Sequence, residues 1–100
     1  MSKSIYLTCK RVRYNSIIEE HFFFECLYKI KSITNIEGAG DELYIDFKGK
    51  KISDYAFKGL IGLFFRYKVN IKQLQIFINK KNEKWVKNKK AYWYKKMFDN

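Results

Sequence analysis

The stretch Lys68-Val69-Asn70-Ile71-Lys72-Gln73-Leu74-Gln75-Ile76-Phe77-Ile78 decides how many strands this chain contributes to a sheet. Gln73-Leu74-Gln75-Ile76 alternates polar and apolar residues with the period of two that a half-buried strand needs, and Phe77-Ile78 extends it in β-favouring residues. The same letters admit a helix, since Asn70 is a good N-cap and Val69 with Leu74 would close a hydrophobic staple across the first turn. We read a strand, for a topological reason. The chain then runs strand, helix, strand, strand, helix, strand, which forms a compact antiparallel sheet with both helices on one face. A helix at residues 70–78 would leave only three strands under two apolar helices.

Working outward, Ser4-Ile5-Tyr6-Leu7-Thr8-Cys9 is rich in β-branched and aromatic residues and reads as the first strand. Asn15-Ser16 offers N-cap side chains ahead of Glu19-Glu20, whose charge suits a helix N-terminus, so a helix runs to about Lys31. Ile18, Phe22, Phe23, Cys26, Leu27 and Ile30 recur every three or four residues, and that broad face should lie on something apolar. Ser32 to Glu37 and Leu43 to Phe47 both alternate around Gly38-Ala39-Gly40-Asp41, which predicts a hairpin with Leu43, Ile45 and Phe47 facing one way and Tyr44 and Asp46 the other. Ser53-Asp54 opens a second helix, about Asp54 to Tyr67, apolar over much of its circumference. Gly59 and Gly62 would each cost it about 1 kcal/mol against alanine, which either marks close packing or is simply tolerated.

Residues 79–98 pack eight lysines, one glutamate and five aromatic rings into a short tail. Its rings are too sparse for a second core and suit one or two short helices anchored on the domain by Trp85 and Trp93. Composition agrees with one globular domain over residues 1–100: 47% of the residues are hydrophobic and 19% aromatic, enough to fill one core. The expectation is therefore an α+β domain with an antiparallel sheet of about four strands, two helices on one face and a short C-terminal helical tail. The opening residues lack the apolar core of about 7 to 15 residues that a signal peptide carries, and no run nears the roughly 20 residues that span a bilayer. A cytoplasmic protein with Cys9 and Cys26 reduced and buried follows as the expectation.

The formal net charge of +11 is unevenly placed. Met1 to Phe65 holds ten basic and eight acidic residues, whereas Arg66 to Asn100 holds eleven and two. Such asymmetry concentrates positive potential on one region and speeds association with anionic surfaces. A solvated lysine face that only aids solubility is the plain alternative, but this excess is larger than solubility requires. Chemistry is harder to find. His21 is the single histidine and has no helical partner four residues away for zinc, the cysteines have no metal spacing, and apolar surroundings would raise rather than lower their thiol pKa values. The five glycines show no phosphate-cradling offsets. We therefore expect no catalytic residues, no metal and no cofactor.

Two binding readings remain. In one, aromatic and arginine anchors with a lysine rim dock an acidic protein; in the other, lysines neutralise phosphates of RNA or DNA while Trp85, Tyr92, Trp93 or Tyr94 stack on bases. Against the second stand the scarcity of arginine, with only Arg11, Arg13 and Arg66, and the lack of short aromatic RNA motifs. The succession Ile52-Ser53-Asp54, Leu63-Phe64-Phe65-Arg66-Tyr67, Gln73-Leu74, Phe77, Asn82, Trp85 and Tyr92-Trp93-Tyr94-Lys95-Lys96 with Phe98 resembles the immunity proteins of bacterial contact-dependent growth inhibition systems. That resemblance covers about half the chain. It implies a cytoplasmic antitoxin that binds a cognate toxin domain, often a tRNA-cleaving nuclease, and it carries over no catalytic residue. Nuclease inhibitors are commonly acidic and this chain is basic, so the expected partner is a toxin domain with an acidic surface rather than an active site met by phosphate mimicry. The candidate partner contacts are Arg66, Lys84, Trp85, Lys87, Lys89, Lys90, Tyr92, Trp93, Lys95 and Lys96, with Trp85 and Trp93 equally suited to the core. Exposed rings and a free sheet edge also leave room for a homodimer.

Overall fold

The structure, a computed structural model, describes residues 5–99. The reading of the opening residues Met1 to Ser4, including a strand start at Ser4, lies outside them. Three antiparallel strands form the sheet, in the order β1 (Ile5–Lys10), β3 (Glu42–Phe47), β2 (Ile33–Ala39). Leu7 pairs with Ile45 and Cys9 with Leu43, so alternate residues share a face: Leu7, Cys9, Ile45 and Phe47 are buried, while Tyr6 is exposed on the other side beside Tyr44. The hairpin turns on Gly40, whose φ of +64° occupies the first of two loop positions, where a II′-type turn needs glycine. An irregularity between Ile33 and Asn35 leaves Thr34 unpaired and kinks the edge strand β2.

Helix α1 (Ile17–Tyr28) begins where the sequence placed it, because the Ser16 hydroxyl accepts the Glu19 amide; α2 (Asp54–Arg66) starts the same way, with Ser53 accepting from Ala56. Each first turn carries an acid, Glu19 and Glu20 in α1 and Asp54 in α2, which suits the positive end of the helix dipole. Helix α1 stops three residues short of Lys31. The apolar face expected along it is only half buried: Phe23, Leu27 and, just past the helix end, Ile30 enter the core, but Ile18 is 73% exposed and Phe22 47%. Apolar residues surround this helix, and the shared core takes in only one side of it.

The fourth strand expected over residues 70–78 does not form. Residues Ile71–Phe77 form a 3₁₀ helix, capped by Asn70, whose side chain accepts the Lys72 amide. Its repeat of three stacks Ile71, Leu74 and Phe77 in one line, and all three are buried. That shared burial offsets the poorer hydrogen bonding of so long a 3₁₀ run, and it outweighs a period-two pattern that extends over only four residues. Val69 and Leu74, the staple pair, are buried at its start. Where a fourth strand would have paired with β1, the side chain of Gln73 does so instead. Its Oε1 accepts the Thr8 amide at 3.0 Å and its Nε2 donates to the Thr8 carbonyl at 2.9 Å.

The tail folds back as α3 (Glu83–Val86) and α4 (Tyr94–Phe98), the short helices expected there. Val86 and Met97 are fully buried and belong to the same core as Phe23, Phe57, Phe64 and Phe77. The turn into α3 is tied by Asn82, the one buried polar residue among those described, which donates to the Phe77 carbonyl and accepts the Asn79 amide. Tail and domain therefore share one core.

Candidate partner-binding surface

The tail sorts its residues by chemistry. Every lysine of residues 79–98 is exposed, while Trp85, Trp93 and Phe98 are half-buried against the core. Trp85 meets the Phe57 ring edge-on at 5.3 Å and Trp93 at 6.1 Å, and the Trp93 indole donates to the Val86 carbonyl at 2.9 Å. The two tryptophans thus serve as anchors. Tyr92 stays 57% exposed, yet it crosses α2: its ring meets Phe65 at 4.9 Å, and a Cβ at Gly62 would stand 3.4 Å from its hydroxyl. Gly62 marks a close approach, whereas a Cβ on Gly59 would meet nothing.

The structure separates the remaining candidates. Lys95 and Lys96 line a groove of about 590 Å³ with Lys68, Lys72, Phe64, Phe65 and Asn70, where the start of the 3₁₀ helix faces α4. Lys96 lies 5.8 Å from the centre of the Phe65 ring. Lys84, Lys87, Lys89 and Lys90 are exposed outside this groove and make a separate stretch of the rim. Lys68 and Lys72 were not singled out in the sequence. The signal for Lys68 lay in its position just past the end of a helix, where the chain must turn.

Arg66 is engaged within the molecule. Its Nη2 donates to both Glu19 carboxylate oxygens at 3.0 Å, and the Tyr67 hydroxyl donates to Glu19 Oε1 at 2.7 Å. These bonds, that from Tyr67 foremost and then that from Arg66, hold the Glu19 carboxyl below its ordinary pKa. Arg66 also lines a second cleft of about 540 Å³ with Arg11, Arg13, Asn15, Glu19, Tyr67 and Lys68. The three arginines of the chain, distant in sequence, converge here.

Other reactive groups are quiet. Burial pushes the Cys9 thiol up to about 12, and Cys26, half-buried, is raised by desolvation as well; neither forms a disulfide. His21 is exposed on α1. Among the described residues no group of three or more His, Cys, Asp and Glu is placed to hold a metal, and no helix is long and apolar enough to cross a membrane. No protein-family model matches the chain, and no curated protein or solved structure matches it either.

Proposed function

We propose that the chain is a non-catalytic binding protein of the immunity type, which neutralises a cognate toxin domain by docking an acidic surface of that partner. The observation that carries this reading is the sorting of the tail, with Trp85, Trp93 and Phe98 turned onto the core and the lysines left in solvent. A flexible basic arm would scatter its charge. Here Trp85, Trp93, Val86 and Met97 tie the lysines to a packed domain, so their field has a fixed shape.

The resemblance to growth-inhibition immunity proteins supports the reading through the scaffold. Ser53 caps α2, Gln73 closes the β1 edge, Asn82 ties the tail turn, and Phe57 lies between Phe77 and Trp85, which in turn meets Trp93. These residues hold the fold, and the contacts for a particular toxin fall on the exposed rim around them. A tRNA-cleaving nuclease in the cytoplasm is the target that the resemblance implies. We read α1 and α2 as covering the apolar sheet face, which leaves the Tyr6 and Tyr44 face and the β2 edge as the surfaces a second copy would use to form a homodimer.

A pull-down from the native host, with and without nuclease treatment, tests the proposal. A protein partner retained after treatment, whose association rate falls as salt rises through the physiological range, is the expected result. Loss of all retained material on nuclease treatment would replace a protein partner with nucleic acid, and an association rate indifferent to salt would remove the lysines from the mechanism.

A further inference from the structure

We infer that the cleft formed by Arg11, Arg13, Arg66 and Lys68 is a phosphate-binding site, which shares Arg66 with the candidate partner contacts. Four cations line it against one carboxylate, Glu19. Two of the guanidinium groups are already oriented. Arg11 is held by Asp41 of the hairpin turn, Nε to Oδ2 at 2.8 Å, and Arg66 by Glu19, itself bound by the Tyr67 hydroxyl. Arg13 and Lys68 form no ion pair among the described residues. The cleft therefore combines held, planar donors with two cations ready for a ligand, a set that suits the several oxygens of a phosphate.

The backbone gives a second, independent indication. Among the described residues only two that are not glycine have positive φ, Arg11 at 51° and Lys68 at 59°, and both line this cleft. Lys68 follows the cap of α2, and two bonds complete the helix end: Val69 N–H to the Phe64 carbonyl at 2.9 Å and Lys68 N–H to the Phe65 carbonyl at 3.4 Å. This is the left-handed position where helices usually place glycine. A lysine there carries a conformational cost that glycine would avoid, and its charge in the cleft is what the cost secures.

The site also continues beyond one phosphate. Lys68 is shared with the groove that holds Lys72, Lys95 and Lys96, and with a smaller hollow beside Lys10 and Gln73. The favoured occupant is thus a phosphodiester strand entering at the arginines and running past Lys68 toward α4, with a lone phosphate group as the smaller source of the same chemistry.

Titration of ¹⁵N-labelled protein at low salt, with inorganic phosphate and separately with a short oligouridylate, tests this. Both probes should shift amides of residues 11–15 and 66–68, and the oligonucleotide should also shift residues 72, 95 and 96. Shifts from phosphate without an oligonucleotide response keep the site and assign it to a small phosphorylated ligand. Arg13→Ala and Lys68→Gly should each weaken binding by roughly tenfold, and Lys68→Gly should lower the logarithmic salt slope for the oligonucleotide by about 1. Glycine suits the backbone at 68, so that variant keeps the fold while losing the charge, and a thermal melt verifies it. Lys51→Ala, outside both grooves and outside the candidate partner contacts, should bind as the parent does. The inference is overturned if neither probe shifts the cleft, if Arg13→Ala and Lys68→Gly bind unchanged, or if Lys51→Ala weakens binding as much as they do.

Discussion

Trp85 and Trp93 pack edge to face, yet their indole N–H groups have opposite fates. That of Trp93 reaches the Val86 carbonyl, whereas that of Trp85 is buried without an acceptor among the described residues. Replacing each by phenylalanine should separate the two effects. Trp93→Phe abandons the Val86 carbonyl and should cost about 1–2 kcal/mol in chemical denaturation. Trp85→Phe also removes an unpaired donor, which offsets lost packing, and should stay within about 1 kcal/mol of the parent. Glu19 supports a prediction in pH. Its carboxyl titrates below the ordinary 4.5 in the folded state, so its contribution is complete above that value and is lost as pH falls through the lowered one. The denaturation midpoint should fall less steeply for Glu19→Gln than for the parent between about pH 5 and pH 3.

The 3₁₀ helix shows at the scale of elements how a sheet can end without another strand. Gln73 gives the β1 edge a donor and an acceptor at Thr8, the two bonds a neighbouring strand would have supplied. Gln73→Ala leaves both Thr8 groups without that partner and should cost about 1–3 kcal/mol. It should also make the apparent size in light scattering rise with concentration, as an opened edge pairs between molecules. The α2 helix was legible nearly to its last residue, because its cap and apolar stripe are local signals. Residues 71–77 were harder. Asn70, Val69 and Leu74 spelled a helix start, but the decisive fact, that Ile71, Leu74 and Phe77 all reach the core, depends on partners such as Phe47 and Phe57 far away in sequence.

For the whole molecule, the tail is a structural necessity as well as a surface. A chain ending at Ile78 would lose Val86, Met97 and both tryptophans from the common core and uncover Phe57 and Phe65. We expect it to aggregate or to melt well below the full chain, which circular dichroism on the two proteins would show. Most of the candidate surface was legible in composition, since lysines in such numbers cannot be buried and must form a rim. The arginine cleft was not, because Arg11 and Arg13 lie more than fifty residues from Arg66. By itself the sequence determined the class of the domain, its capped helices and hairpin, and the charge of its C-terminal third, all properties of short windows or of counts. Only the tertiary structure decided that the sheet has three strands, that the tryptophans anchor the tail and that the arginines meet. Each of those depends on which distant side chains share a volume, and burial there outweighs local periodicity.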